Sequence, residues 1–237
     1  MLFSNVKEIV IPEGKVVKIT DSSANILWQV QTNVNPLDDY QEVQYIQAAS
    51  GVEAYLDLGF TFDKAALIDF GTYYASSQTT GYLFGAAENS GKLRCMCTLA
   101  VSNKATAAFY GSTGSAYIES TYSHTTGLNE FEFSLKKGEI RTIRKDLGTV
   151  GTKTTQGEYT MTSNLFLLAQ NYNGKARFGG LRRVYYFRYY DKDNTLICDL
   201  MPCYRKSDGV IGMYDKARNR FLTNVGSGSF TKGSDVN

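Results

Sequence analysis

The sequence predicts an all-β fold, a β-sandwich or jelly roll. Its apolar residues fall in short runs rich in aromatic and β-branched side chains, and clusters of Asp, Asn, Ser and Gly separate these runs. Such punctuation is typical of strands joined by tight turns. No amphipathic helix pattern of about ten residues or more appears. A chain of 237 residues, of which 43 % are apolar, can also fill the core of one large sandwich.

Residues 1–35 are predicted to form a separate unit, a small N-terminal β meander followed by a linker. Strands are expected at residues 6–11, 15–20 and 26–28, and polar residues 29–35 lead to Pro36. So few residues bury too little surface to hold a fold unaided. We therefore expect this segment to attach the chain to a partner; an extra edge sheet on the sandwich is the alternative.

The sandwich domain is predicted to span residues 36–237. The Thr- and Gly-rich stretch at residues 148–158 is expected to be an exposed loop, and Asn171 to Gly174 a hairpin turn. Strands are expected at residues 65–70, 81–85, 93–101, 105–110, 128–135, 139–143, 164–170, 182–190, 195–202, 210–214 and 220–222. Regular short strands of this kind favour a sandwich or jelly roll.

The balance of charge argues against a nucleic-acid partner. The net charge is +2, from 25 basic and 23 acidic residues, whereas nucleic-acid binding needs a dominant basic patch. The nearest approach to such a patch is expected to be a solvated hairpin face, made of Lys136, Lys137, Arg141, Arg144 and Lys145. No apolar run approaches the ~18 residues of a membrane span. The first residues lack the pattern of a secretory signal, so we expect folding in a cytoplasm.

The four cysteines fall in two pairs, Cys95 with Cys97 and Cys198 with Cys203. Neither spacing matches a structural zinc site. We expect buried, reduced cysteines that act as small apolar residues. A Cys198–Cys203 disulfide is the alternative, and it would suit only an oxidising compartment.

No constellation of residues predicts catalysis, a metal site or a cofactor. Glu130 and Glu132 alternate with Phe131 and Phe133, which is typical of a solvated face over a core rather than of a glycosidase carboxylate pair. The only histidine, His124, lies in a polar, loop-like stretch without a Gly-x-Ser-x-Gly partner motif. No Walker loop, dinucleotide signature or EF-hand loop occurs. We therefore expect a protein that is not an enzyme.

Tyrosine is the most frequent aromatic residue, with 17 Tyr against 13 Phe and one Trp. A tyrosine joins an apolar ring to a polar tip, which suits binding surfaces. In sugar recognition, exposed rings stack on the sugar while polar side chains bind its hydroxyls. The candidate carbohydrate-binding residues lie beside small polar residues and are Tyr73, Tyr74, Tyr110, Tyr117 and Tyr122. Ordinary surface tyrosines, favoured by β-propensity alone, are the alternative.

The closing strands also resemble a known family. The motifs are residues 178–187, 199–203, 208–215 and 226–230. They are similar to the closing strands of concanavalin-like (laminin-G-like) jelly-roll domains of bacteriophage structural proteins and gut bacterial surface proteins. Residues 43–59 resemble the opening strand pair of that family. The resemblance covers residues 40–233 and implies a jelly-roll sandwich, but its motifs identify no ligand.

What the resemblance implies about function is adhesion or a place on a virion surface. We expect a bacteriophage virion protein of the tail, baseplate or head fibre, assembled in the host cytoplasm and joined to other virion proteins through residues 1–35. Its lectin-like domain would bind bacterial or mucosal glycans, and we expect a homo-oligomer, a trimer. The alternatives are a purely structural decoration or assembly protein and a polysaccharide hydrolase, which needs two carboxylates about 5–10 Å apart.

Overall fold

The structure, a computed structural model, confirms the all-β prediction. It describes residues 16–20, 23, 26–31, 35–48, 54–62, 67–74, 81–88, 93–99, 105–111, 114–119, 126–134, 139–154, 161–177 and 182–237. Within these ranges strands and turns dominate, and the one helix is a short 3-10 helix at Pro36–Asp39. No helix in them is long and apolar enough to cross a membrane. The chain divides into two compact units, Met1–Tyr40 and Gln41–Asn237.

The first unit contains an antiparallel hairpin of β1 (Val16–Thr20) and β2 (Ile26–Gln31). These strands match the second and third strands expected of the meander, and the expected first strand, residues 6–11, lies outside the described residues. The 3-10 helix follows, and the side chain of Asn35 caps it by accepting a hydrogen bond from the amide of Leu37 at 3.2 Å. The attachment role of this unit stays a prediction.

The second unit is a jelly-roll sandwich of two sheets. The strands from Tyr40 onward are, in chain order, β3 (Tyr40–Glu42), β4 (Ile46–Ala48), β5 (Leu56–Thr61), β6 (Leu67–Tyr74), β7 (Gly81–Glu88), β8 (Leu93–Leu99), β9 (Ala105–Gly111), β10 (Gly114–Glu119), β11 (Gly127–Ser134), β12 (Glu139–Arg144), β13 (Gly148–Thr154), β14 (Asn164–Leu167), β15 (Gln170–Tyr172), β16 (Lys175–Arg177), β17 (Arg182–Tyr190), β18 (Leu196–Arg205), β19 (Ile211–Asp215), β20 (Arg220–Thr223) and β21 (Phe230–Lys232).

Sheet order brings strands together that are distant in the chain. The smaller sheet runs β10-β9-β8-β7-β14-β5, with the β15–β16 hairpin beside β7. The larger sheet runs β13-β12-β11-β6-β17-β18-β19-β20. In it, β17 pairs with β6 along one edge, and its first residues pair with β4 along the other. These crossed connections are those of a jelly roll, and they place β17 at the centre of the larger sheet.

The core between the sheets is dominated by phenylalanine rings. Phe70, Phe133 and Phe187 project from the larger sheet and meet Phe84 of the smaller sheet, while Phe131 stacks on Phe70, and all five are buried. Ring centroids lie 5.6 Å apart for Phe70 and Phe84 and 5.5 Å apart for Phe84 and Phe187. Both pairs meet edge to face, an arrangement that aromatic rings prefer. These contacts join the two sheets directly.

The end of the chain pairs with β4, an early strand of the second unit. β21 lies antiparallel to β4, and the pairing continues beyond it. The amide of Gln44 donates to the carbonyl of Ser234 at 2.9 Å, and the amide of Val236 donates to the carbonyl of Glu42 at 3.0 Å. Glu42 and Val236 therefore lie side by side at one end of the sandwich.

Two segments differ from their sequence-based predictions. Residues 148–154, expected within an exposed loop, form β13, which pairs with β12 at the edge of the larger sheet. Threonine favours strands, and the hairpin partner supplies hydrogen bonds that composition does not reveal. The single strand expected at residues 164–170 divides into β14 and β15 because Leu168 adopts a φ of 71°, a left-handed conformation that a strand cannot contain.

The predicted Asn171–Gly174 hairpin turn is confirmed. Asn173 and Gly174 have φ values of 48° and 82°, as a two-residue turn of the favoured hand requires. The side chain of Asn171 accepts a hydrogen bond from the amide of Gly174 at 2.8 Å. This bond holds the turn between β15 and β16.

The prediction of a solvated basic face is wrong for one of its residues, Arg144. Arg141 and Lys145 are exposed, but Arg144 is buried. Its register opposite Phe131 puts it on the inward face of β12, and its charge is paired with Asp146 at 2.6 Å. Lys136 and Lys137 lie outside the described residues.

The prediction of reduced, buried cysteines is confirmed for Cys97, Cys198 and Cys203. Cys198 and Cys203 are five residues apart on β18, and an odd separation places them on opposite faces of a strand. The alternative disulfide between them is therefore not formed. Burial raises the pKa of both thiols, that of Cys203 to about 12, so both stay protonated at neutral pH. The side chain of Cys95 lies outside the described residues.

Candidate functional site

The candidate site lies on the outer face of the larger sheet, where β4, β17 and β6 run side by side. Along β17, Val184 is buried in the core, whereas Arg183 and Tyr185 are half-buried on the outer face. The β4 register sets Arg183 opposite Gln47. On the other side of β17, Tyr73 of β6 is also half-buried on this face.

Arg183 lies at the centre of a group of tyrosine rings. Its guanidinium carbon is 4.5 Å from the ring centroid of Tyr45 and 4.4 Å from that of Tyr73, well inside the ~6 Å range of cation–π contacts. Its Nε donates a hydrogen bond to Oε1 of Gln47. The ring of Tyr185 lies 5.4 Å from that of Tyr45. We call these five residues the tyrosine–arginine platform.

Neighbouring residues hold the platform in position. The hydroxyl of Thr72 donates to the carbonyl of Arg183 at 2.8 Å and so joins β6 to β17 beneath the rings. The ring of Tyr45 lies against Gly233, where an added Cβ would come within 2.8 Å of it. A residue without a side chain at position 233 therefore lets this ring lie on the sheet beside Arg183.

The platform combines flat apolar surfaces with fixed polar groups. The tyrosine rings can stack on an apolar ligand face, and the hydroxyls, the Gln47 amide and the guanidinium can exchange hydrogen bonds with a polar edge. Burial is the main cause that raises the pKa of Tyr185, so its hydroxyl stays protonated at neutral pH. This combination of groups suits the two faces of a sugar ring.

Next to the platform, charged side chains surround the hydroxyl of Tyr186. That oxygen is 2.9 Å from Nζ of Lys145, 2.9 Å from Oε1 of Glu130 and 3.1 Å from Oδ1 of Asp69. Burial and the two carboxylates raise the pKa of Tyr186, so the phenol donates its proton to a carboxylate. The ring lies over Gly71, where an added Cβ would come within 2.8 Å.

Further ion pairs extend this group along the sheet. Arg188 bridges Asp69 at 3.3 Å and Asp199 at 3.2 Å, and Lys216 reaches Asp199 at 3.4 Å. We call the whole set the charge network, and its members are Asp69, Glu130, Lys145, Tyr186, Arg188, Asp199 and Lys216. Burial alone would lower the pKa of Arg188, but Asp199 and Asp69 outweigh it and raise that pKa.

The charge network bears on the hydrolase alternative. Asp69 and Glu130 both contact the Tyr186 hydroxyl, so their carboxylates lie close together, as in a glycosidase. However, the two oxygens of Asp69 pair with Lys145 and Arg188, and its side chain is only 10 % exposed. Carboxylates neutralised in this way are typical of structural ion-pair networks. Among the residues described, no cluster of His, Cys, Asp or Glu could hold a metal ion.

Of the five predicted tyrosines, the structure describes the side chain of Tyr73. Tyr73 belongs to the platform, and Tyr74 follows it on β6. Tyr110 and Tyr117 lie on β9 and β10, at the edge of the smaller sheet. The side chains of Tyr74, Tyr110 and Tyr117, and the whole of Tyr122, lie outside the described residues.

Sequence reasoning missed four platform residues, Tyr45, Gln47, Arg183 and Tyr185. Arg183 and Tyr185 are two positions apart on a strand, so alternation alone places them on one face. Their contact with the other strands has no local signal, because Arg183 and Gln47 are 136 positions apart in the chain. Only the pairing of β4 and β6 with β17 assembles the platform.

No protein-family model and no curated protein sequence matches this chain. Solved structures with the same architecture do match. The native heptameric SAP-like pentraxin from Limulus polyphemus has a TM-score of 0.51 and 10 % identity, over 80 % of this chain and 95 % of that chain. Mouse laminin α1 domains LG4-5 have a TM-score of 0.49 and 11 % identity, over 74 % of this chain and 49 % of that chain.

A third structure, the CBM40 of Ruminococcus gnavus IT-sialidase, has a TM-score of 0.46 and 7 % identity, over 60 % of this chain and 90 % of that chain. At such low identity these likenesses bear on the fold alone. Together with the two-sheet topology, the likeness to the pentraxin shows that the chain has the concanavalin-like jelly-roll fold.

Proposed function

We propose that residues 41–237 form a lectin-like domain that binds glycans through the tyrosine–arginine platform. The observation that carries this proposal is the position of Arg183, held beside the rings of Tyr45 and Tyr73 on a half-exposed sheet face. Flat rings can stack on the C–H face of a pyranose while oriented donors bind its hydroxyls. Binding takes place without cleavage, because cations and a phenol already engage the carboxylates of the charge network.

We place this domain on a bacteriophage virion, in a tail, baseplate or head fibre. Support comes from the resemblance of the closing strands to phage structural proteins and from the separate unit that precedes the sandwich. Residues 1–35 attach to other virion proteins, and a trimer displays three platforms. Several linked sites bind a glycan-coated surface far more strongly than one site, so a weak single-site affinity is sufficient.

A purely structural virion role is the second candidate. The observation in its favour is Leu128, the cross-strand neighbour of Tyr73, whose apolar side chain is 47 % exposed. Apolar surface beside the platform suits contact with another protein. In this role the platform is covered in the assembled particle and binds no sugar.

The test is glycan-array and host-cell-wall binding by the full chain, with the bound sugars monitored for cleavage. We expect binding without cleavage and at least a tenfold loss of affinity for Tyr73→Ala, which is about 1.4 kcal/mol. Tyr172→Ala is the matched control, because Tyr172 also lies beneath an arginine, Arg177 at 3.6 Å, but on the smaller sheet. Its binding should equal that of the unmodified chain.

Three results would contradict the proposal. Absence of binding by an artificially trimerised chain supports the structural role instead. Equal losses for Tyr73→Ala and Tyr172→Ala move the site away from the platform. Cleavage of a bound sugar would make the protein a hydrolase. Light scattering of the purified chain checks the trimer independently.

A further inference from the structure

We infer that the tyrosine–arginine platform selects acidic glycans, with Arg183 binding a carboxylate or sulfate group of the sugar. This inference rests on the proposed function and names its ligand class. The evidence is the charge of Arg183, which no acidic residue in the described part of the chain compensates, its remaining hydrogen-bond donors and the charges that surround it.

Arg183 carries a charge that no described carboxylate neutralises. Its contacts are the amide oxygen of Gln47 and the rings of Tyr45 and Tyr73. By contrast, Arg188 contacts two aspartates, and Arg218 binds Asp215. A half-buried guanidinium without a counter-ion loses hydration and gains no ion pair in return. An anionic ligand would supply the missing ion pair.

The guanidinium of Arg183 also has N–H donors that are not used by the described residues. Arginine carries five N–H groups in a planar fork, and among the described residues Gln47 accepts a hydrogen bond from one of them. The fork suits the paired oxygens of a carboxylate or sulfate. The flanking rings limit its movement, so little side-chain entropy is lost when the anion binds.

The surrounding charges restrict the kind of anion. The charge network lies on the same face as the platform, and its three carboxylates are matched by three cations, so it adds no net positive charge that would attract an extended polyanion such as a nucleic acid. A single acidic group on a sugar places one negative charge at Arg183 and leaves the rest of the ligand neutral over the rings. Carboxylated and sulfated sugars share this chemistry.

The test uses an array on which each acidic glycan stands beside its neutral counterpart. Uronate- and sialate-bearing glycans are paired with their carboxyl-reduced forms, and sulfated glycans with their desulfated forms. We expect the full chain to prefer the acidic member at least tenfold, with the preference falling as salt rises. The carboxylate and sulfate pairs show separately which group is bound.

Arg183→Gln should bring the ratio of acidic to neutral binding to about one, and Arg183→Lys should leave an intermediate ratio because the charge stays but the fork is lost. Arg177→Gln is the control and should keep the full preference. Unchanged circular dichroism and melting temperature establish that each variant is folded. A chain that binds both members equally through Tyr73 overturns this inference but not the proposed function. Absence of all sugar binding overturns both.

Discussion

The carboxylate of Glu88 is buried and accepts hydrogen bonds from neighbouring residues. It is 7 % exposed, and it accepts hydrogen bonds from the amide of Thr162 at 2.7 Å, from the hydroxyl of Thr162 at 3.0 Å and from the amide of Ser163. Burial alone would raise the pKa of Glu88. The hydrogen bonds from Ser163 and Thr162 together outweigh it and lower that pKa.

This lowered pKa predicts acid-sensitive stability. The free energy that the Glu88 carboxylate contributes is fully present above the unfolded pKa, about 4.3, and is lost as the pH falls through the lower folded pKa. We expect Glu88→Gln to lower the free energy of unfolding at pH 7 by about 1–3 kcal/mol. The difference from the unmodified chain should shrink below pH 4. Urea unfolding at a series of pH values measures both effects.

The control for Glu88 is Glu132→Gln, since Glu132 is half-buried on the outer face of β11. Its effect at pH 7 should be much smaller. If the difference between Glu88→Gln and the unmodified chain were the same at pH 3 and pH 7, the carboxylate would not be the stabilising group.

Single residues were predictable where a local rule decides their position. Alternation along β11 correctly predicted that Phe131 and Phe133 enter the core and that Glu130 and Glu132 face outward. The burial of Arg144 was not predictable, because it follows from its register with β11 and not from its basic neighbours. Arg183 was missed for a similar reason, since its aromatic partners are Tyr73 of β6 and Tyr45, which directly precedes β4.

Among the elements, β5 is joined to the β19–β20 hairpin by a buried carboxylate and two arginines. Asp215 is 0 % exposed and binds Nε of Arg218. Arg218 and Arg220 both donate to the carbonyl of Leu58 on β5. Gly59 has a φ of 63°, and an added Cβ there would lie 2.9 Å from the Arg220 guanidinium. These contacts connect the larger sheet to the smaller one outside the phenylalanine core.

Removal of the buried carboxylate should therefore weaken the sandwich. We expect Asp215→Ala to lower the free energy of unfolding by about 3–5 kcal/mol, because it leaves Arg218 and Arg220 without their buried counter-ion. The matched control is Asp193→Ala, which breaks the exposed pair between Lys192 and Asp193 and should cause no measurable change. Denaturant unfolding measures both variants. Similar effects of the two substitutions would contradict a special role for Asp215.

Whole strands were predictable where composition and turn residues agree. β17 has the predicted bounds, Arg182–Tyr190, because aromatic residues fill it and an Asp- and Asn-rich turn ends it. β13 was missed because its glycines are typical of loops and its partner strand decides its conformation. The break at Leu168 has no sequence signal either, since leucine rarely adopts a positive φ.

At the scale of the whole molecule, the described cysteines stabilise the fold by packing in its interior and form no disulfide. Cys97, Cys198 and Cys203 are free and buried, so a reducing agent should leave the melting temperature unchanged. These thiols should resist iodoacetamide in the native protein and react after unfolding, as peptide mass spectrometry would show. A melting temperature that falls by several degrees in reductant would point to a cross-link and contradict this expectation.

The sandwich as a whole followed from the sequence, whereas its outer surface did not. Regular short strands and a large apolar fraction predicted two packed sheets, because such strands must bury one face. The order of strands in each sheet depends on contacts between distant parts of the chain. The platform is a product of that order, and so local patterns predicted one of its residues, Tyr73, and not the site.

The pairing of the last strand with the opening strand has a mechanical consequence. Because Glu42 and Val236 lie side by side in antiparallel segments that lead into β4 and out of β21, a force that pulls them apart acts on one hydrogen bond after another, beginning at this end. Two hydrogen bonds are among the first to break. The amide of Gln44 donates one to the carbonyl of Ser234, and the amide of Gly233 donates the other to the carbonyl of Tyr45. Tension applied through these two strands therefore loosens Tyr45, and with it the platform, before the phenylalanine core gives way.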